Sequence, residues 1–238
     1  MLDYYLKNKM NKKNILVVVA HPDDEVIGPG GTIIKHTNNG GNVSLLVLSD
    51  GRSSRNKPNI EQVQEKTRAE LEKSVKLLGI TSYEWAEFPD NQFDTVSFLE
   101  IVKKVSGVIN RIKPEIVLTH HFGDINIDHQ LTSKAVIIAC RPTENKCVKD
   151  IYMFETLSST EAGNNIPGNV FLPNIFVDIT SEIDQKIKAM SCYASELKDF
   201  PHPRSLEAIK TNARLWGAKN CLNYAEAFYS YRSIKNEL

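Results

Sequence analysis

The chain has 238 residues, enough for a sizeable buried core, and its 29 lysines and arginines balance 29 aspartates and glutamates. That balance excludes the global field that draws a protein to nucleic acid or to an anionic membrane. The four cysteines, Cys140, Cys147, Cys192 and Cys221, are scattered without a CxxC pair, which excludes a thiolate zinc site or a disulfide frame and predicts reduced thiols in a cytoplasmic protein.

Residues 1–13 carry Leu2, Tyr4, Tyr5 and Leu6 and then four lysines, and read as a solvated N-terminal leader. No small-residue cleavage site follows the short apolar run, and no run is long enough to span a membrane. Residues 14–238 read as a single domain. Ile15 to Val19 is apolar without alternation, the mark of a strand buried on both faces. It leads into Ala20-His21-Pro22-Asp23-Asp24-Glu25. Polar residues in that density at the carboxyl end of a core strand mark a ligand site, because open α/β sheets bind their ligands there.

Val26 to His36 reads as a helix stopped at Asn38-Asn39-Gly40-Gly41, and Val43 to Leu48 as a second strand. After a polar loop bearing Arg52 and Arg55, a helix opening at Pro58 or Asn59 carries Arg68 and the apolar stripe Val63, Leu71, Val75, Leu78, and closes at Gly79. Tyr83 to Phe88 reads as a strand, Phe98 to Ile112 as a helix ended by Lys113-Pro114, and Ile116 to Thr119 as another buried strand. The alternation predicts an α/β fold, Rossmann-like, with a mostly parallel sheet and helices on both faces. Further strands at Ile151 to Glu155 and Ile175 to Ile179, helices around Ile183 to Met190 and Leu206 to Trp216, and an edge strand at Tyr224 to Tyr231 predict a smaller C-terminal α+β portion.

The strand at Ile116 ends in a second polar concentration, His120 to His129, before a helix from Gln130 to Ala139. Two strand ends that each carry histidine and aspartate point at one crevice. His21 and Asp24, three apart at a helix entry, suit a divalent metal. His129, with Asp128 beside it as support, completes a three-ligand zinc set that leaves one position open. Asp23 is left over, as a general base for water activation should be. His202, braced between Pro201 and Pro203, and His120 are the candidate acids, with His121 as a further option; Asn126, Asp124, Arg52, Arg55 and Arg68 are candidate substrate contacts. The competing reading makes these residues ordinary caps, turns and solvated charges.

AHPDDEVIGPGG at 20–31, SDGRSSR at 49–55, TRAELEKSVKLLGI at 67–80 and DINIDHQ at 124–130 together resemble the PIG-L or LmbE-like zinc-dependent N-deacetylases. The likeness runs from about Asn14 through Ala139 and, more loosely, to HPRSLEAI and YAEAF in the C-terminal part. It implies a Rossmann-like fold, zinc on His21, Asp24 and His129, Asp23 as base, and removal of acetyl from an N-acetylglucosamine-type sugar. Hydrolysis of another amide or a phosphoester at the same metal, and metal-dependent binding without turnover, are the alternatives. The partner is then a small amino-sugar substrate, with room for an anionic carrier group and for a homo-oligomer. Many members carry HPDH where this chain has Asn126-Ile127-Asp128-His129, so the first histidine of that motif, often assigned an acid role, is an asparagine here.

Overall fold

The computed structural model describes residues 13–49, 51 and 60–235. Arg52, Arg55, the expected helix start at Pro58 or Asn59 and the expected leader, apart from Lys13, lie outside the described residues. Strand β1 (Ile15–Val19) is buried along its whole length and pairs in parallel with β2 (Val43–Ser49) on one side and β4 (Ile116–His120) on the other. Its unbroken apolarity follows from its position: Leu16 and Val18 join one core with Val105, Ile109 and Val136, while Ile15, Val17 and Val19 join the opposite core with Ile33, Leu71 and Tyr193. Burial of each such side chain contributes about 1.5–3 kcal/mol relative to exposure.

Outside β2 lies β3 (Ser82–Phe88), and beyond β4 lies β5 (Asp150–Phe154), both parallel to their neighbours. The order across the seven-stranded sheet is β3-β2-β1-β4-β5-β7-β6. Chain order therefore reverses between β1 and β4, and the carboxyl ends of those two strands flank a topological switch point. The last strand, β7 (Ala225–Ser233), is antiparallel to β5, and β6 (Ile175–Asp178) is antiparallel to β7. The expectation of an edge strand at Tyr224 to Tyr231 is thus corrected. The four-residue β6 forms the edge, while Ala225 to Phe228 of β7 are buried between two neighbours. The C-terminal elements extend the same sheet.

The helix expected from Val26 to His36 is two: α1 (Asp24–Ile27) and α2 (Gly30–Asn38), separated at Gly28-Pro29. Proline cannot donate within a helix, and a Cβ at position 28 would run into the Phe154 ring. Helices α3 (Ile60–Leu78) and α4 (Phe98–Ile112) follow, with a 3-10 turn at Phe93–Thr95 between them. Helix α5 (Ile127–Ala139) begins three residues earlier than the apolar pattern suggests, because Asn126 caps it: its side-chain oxygen accepts the amides of Asp128 (2.8 Å) and His129 (3.4 Å). A one-turn α6 (Thr160–Gly163), α7 (Ile183–Met190) and α8 (Leu206–Ala218) complete the described helices.

Candidate metal centre and cleft

Beyond β1 the backbone turns sharply. Asp23 has φ 103°, a left-handed conformation that costs a residue with a side chain about 1–3 kcal/mol and persists only where its surroundings enforce it. Glu25 supplies the enforcement: its carboxylate accepts the Asp23 amide (3.0 Å), the Tyr193 hydroxyl (2.5 Å) and the Ser74 hydroxyl (2.9 Å). Burial pushes Glu25 up to about 7, against the hydrogen bonds from Tyr193 and Ser74. The same turn brings the His21 amide onto Asp24 Oδ2 at 2.8 Å.

Three side-chain atoms then converge. His21 Nδ1 lies 3.1 Å from His129 Nε2 and 3.4 Å from Asp24 Oδ2, and the latter two are 3.5 Å apart. Ligands about 2.0–2.2 Å from a tetrahedral zinc stand roughly 3.3–3.6 Å from one another, so the spacing fits such an ion. The far nitrogens fit as well. His21 Nε2 faces Asp128 Oδ2 at 3.1 Å and Asp90 Oδ1 at 3.2 Å, and His129 Nδ1 faces Asp124 Oδ2 at 3.1 Å. A carboxylate behind each imidazole fixes its tautomer and turns the other nitrogen's lone pair toward the common point. Asp24 Oδ1 is buried without a hydrogen-bond partner among the described residues, a further unmet acceptor. His21, Asp90 and Asp128 form a second group within metal-ligand distance. Asp128, however, already accepts the amides of Asn91 (2.7 Å) and Phe93 (3.0 Å), which suits it to holding the His21 N–H in place.

The electrostatics follow from this packing. Burial opposes charge on His21, but hydrogen bonds to Asp128 and Asp24 outweigh it and carry the group up to about 10. Burial opposes charge on Asp24 too, and the charge of His129, with hydrogen bonds from His129 and His21, holds it well below the carboxylate range. Asp124, against its burial, is held down to about 2 by the His129 hydrogen bond and charge. Asp23 is different: burial lifts it to about 8, with Arg204 pulling the other way.

The triangle opens onto a cleft lined by, among others, Asp23, Thr67, Asp90, Asn126, Tyr193 and Arg204. Arg204 Nη1 is 3.3 Å from Asp23 Oδ2 and 3.6 Å from Glu196, and its Nε donates to Ser158 Oγ at 3.0 Å. Asp23 Oδ1 has no hydrogen-bond partner among the described residues. The structure thus brings His21, Asp23, Asp24, Asn126 and His129 together, with Asp128 behind His21. Asp124 is not on the cleft as a substrate contact would be. It is fully buried behind His129, where Ser159 and Thr160 also donate to it at 2.9 and 2.6 Å. Arg68 is turned away, pairing with Glu87 at 2.7 Å on the surface and lying over the Trp85 ring.

His120 is inside the wall and not in the opening. It is fully buried, its Nε2 accepts the Ala20 amide at 2.9 Å, its Nδ1 donates to Thr156 at 3.1 Å, and its ring stacks on His129 with centroids 3.9 Å apart. Burial lowers it to about 3, so the ring is neutral at neutral pH and its one N–H is committed to Thr156. His121 is buried against Phe122, Phe171 and Tyr229 and is lowered to about 4 for the same reason. His202 is exposed, with Nδ1 accepting the Arg204 amide at 3.0 Å; the side chain of that turn which reaches the cleft is Arg204. Sequence reasoning passed over Arg204 although it stands in the same HPRS segment, and passed over Glu25 although it completes the acidic run.

The chain is 26% identical to the diacetylchitobiose deacetylase of Thermococcus kodakarensis, across 94% of this chain and 86% of that protein. It is 27% identical to a 4-oxalmesaconate hydratase of Pseudomonas putida, across 92% and 89%. The N,N'-diacetylchitobiose deacetylase of Pyrococcus horikoshii, solved with its inhibitor MPG, shares the fold with a TM-score of 0.76 at 22% identity, covering 95% of this chain and 86% of that one. Residues 16–140, more than half of the chain and all of the segment that builds the triangle, match the family described as PIG-L: GlcNAc-PI de-N-acetylase, and the chain belongs to that family.

Proposed function

We propose that this chain hydrolyses the acetamide of an N-acetylated amino sugar or sugar conjugate, with zinc held by His21, Asp24 and His129. The observation that carries the reading is the spare carboxylate: Asp23 adjoins the ligand triangle, lines the cleft and keeps Oδ1 without a partner among the described residues while Arg204 occupies Oδ2. A purely structural metal site has no use for such a group. Bound there, zinc would supply Lewis acidity toward the amide carbonyl and lower the pKa of the attacking water. Asp23 takes the proton from the attacking water at Oδ1 and returns it to the departing nitrogen, so that acetate and a free amine result. Arg204 holds the carboxylate in one orientation through that cycle. With both ring nitrogens of His120 engaged and Asn126 unable to titrate, Asp23 carries the proton in both directions.

The family description and the deacetylase relative support the amino-sugar substrate. Among the described residues no helix is long and apolar enough to cross a membrane. The four cysteines are free, which supports a reducing, cytoplasmic setting. The hydratase relative supports a second reading, addition of water to a conjugated carbon–carbon double bond by the same ion and base. The test is acetate release from free, nucleotide-linked and lipid-linked N-acetylhexosamines by protein stripped of metal and reloaded with zinc, run beside an absorbance assay for hydration of unsaturated carboxylic acids. Zinc-dependent acetate release is expected. Zinc uptake with no acetate from any sugar, and turnover of the unsaturated acids, would replace the first reading with the second.

A further inference from the structure

The YAEAF segment and the middle of α7 take no part in the cleft, yet they hold a buried ion pair. Lys186 and Glu226 have only 3% and 5% of their surface exposed. The Lys186 ammonium has three protons and three acceptors: the carbonyls of Ile27 (2.9 Å) and Gly28 (3.0 Å) and Glu226 Oε1 (2.6 Å). Glu226 in turn accepts the amides of Gly31 and Thr32, both at 2.7 Å, in the first turn of α2. The pair therefore grips the chain on both sides of the Gly28-Pro29 break, the end of α1 through its carbonyls and the start of α2 through its amides.

The grip leads straight to the reactive carboxylates. The Ile27 amide donates to the Asp23 carbonyl at 2.9 Å and the Gly28 amide to the Asp24 carbonyl at 3.0 Å. The two residues whose carbonyls Lys186 holds are thus the two whose N–H groups hold Asp23 and Asp24. Glu25 fixes the other side of the turn. We propose that Lys186 and Glu226 are positioning residues for the metal site, a buried clamp that holds the Asp23-Asp24 turn in its strained conformation through the ends of α1 and α2. Burying a complete ion pair is a poor way to gain stability, since desolvation opposes the attraction. Fixing the aim of two carboxylates is a reason to keep one here.

The proposal rests on the reading of Asp24 as a ligand, and its test separates the two. Lys186→Met and the double variant Lys186→Met with Glu226→Leu are compared, in metal-free form, with Val108→Ala, a substitution in the opposite core that lowers Tm without touching the turn. Amide hydrogen exchange at Val26, Ile27 and Gly28 and zinc affinity by chelator competition are measured in each. The clamp variants should lose about tenfold in zinc affinity, at the low end of what supporting groups around metal sites contribute, and a comparable factor of protection at those three amides beyond that seen in Val108→Ala. The double variant leaves no unpaired buried charge, and so carries the test where Lys186→Met fails to fold. Equal losses in the clamp variants and in Val108→Ala at matched Tm would overturn the proposal. Wild-type protein that takes up no zinc would overturn the metal reading, while the exchange data would still judge the clamp.

Discussion

Metal uptake by this site should be proton-coupled, and the structure gives the size of the effect. With His21 carried to about 10 by Asp128 and Asp24, the metal-free protein at pH 7 holds a proton where the proposed ion would bind. His21 Nδ1 and His129 Nε2, 3.1 Å apart, have room for one proton between them, so at least one is displaced per ion, and Asp23 at about 8 gives up a second as the ion's charge arrives. For the His21 proton alone, three pH units below its value make zinc affinity at pH 7 about a thousandfold weaker than for the unprotonated site, or about 4 kcal/mol at 1.36 kcal/mol per unit. The sign of the stability effect is opposite. A raised histidine pKa stabilises the metal-free fold below its ordinary value of 6.5, and that contribution is lost as pH rises from there through about 10. Metal-free Tm should therefore fall over that range while the increment added by zinc grows. Chelator competition between pH 6.5 and 9, with calorimetry in two buffers of different ionisation enthalpy, reads the proton count. A slope of log affinity against pH between one and two is expected. Asp128→Asn removes the largest of the interactions that raise His21 and should flatten that slope. A flat slope in the wild type would refute the account of how the site is charged.

Asp23→Asn should keep its zinc and lose about a hundred- to ten-thousandfold in rate, as removal of a general base does; loss of zinc in that variant would make Asp23 a ligand. Arg204→Gln should raise the acid limb of the pH–rate profile by about one to three units, because a cation 3.3 Å from Asp23 no longer favours its ionised form, whereas His202→Gln should leave the limb in place. The reverse pattern would return the decisive role to His202. Far from the site, Asp150 is buried and accepts from Lys13, Ser233 and Lys235 at 2.8, 2.6 and 2.9 Å, which together overcome its desolvation and hold it down to about 2 from an ordinary 3.8. The stability this gives is present above pH 3.8 and lost as pH falls through 2; with both lysines partly exposed it amounts to about 1–2 kcal/mol. Urea titrations of Asp150→Asn and wild type should therefore converge toward pH 2, and curves that stay parallel would count against the ion-pair account.

What the sequence disclosed was what short spacing controls. Five apolar residues in a row placed β1 at the sheet's centre, and His21, Asp23 and Asp24 acquired their relative positions from one turn. Contacts between distant segments were out of reach. The brace on Asp23 needs Glu25 to meet Ser74 and Tyr193, 49 and 168 residues away, and nothing local distinguishes Glu25 from a helix-capping acid. Asp128 reads as support for the neighbouring His129 and Asp124 as a substrate contact; packing instead puts Asp128 behind His21 and sets Asp124, held by Ser159 and Thr160, behind His129. His120 reads as a candidate acid at a strand end, but the Ala20 amide and Thr156 close on it from neighbouring strand ends. The clamp between Lys186 and Glu226 joins α7 to β7 across 40 residues and leaves no trace in the pattern of either element.

The asparagine that departs from the HPDH form has a physical consequence within this arrangement. Asn126 lines the cleft, and the same side chain caps α5 through its oxygen while its amide donates to Asn91 Oδ1 at 3.0 Å. The cap puts Asp128 and His129 in the first turn, so the residue that cannot titrate is the one that aims the third proposed ligand and the support of the first. Asn91, at the other end of that bond, gives its backbone amide to Asp128, closing a loop of contacts around the carboxylate behind His21. A histidine at 126 carrying a proton for an acid role would have two donors and no acceptor, and so could not keep this cap. On the proposed reading the chain has therefore moved proton transfer onto Asp23, and the cation that keeps Asp23 serviceable, Arg204, comes from the HPRS turn near the other end of the sequence.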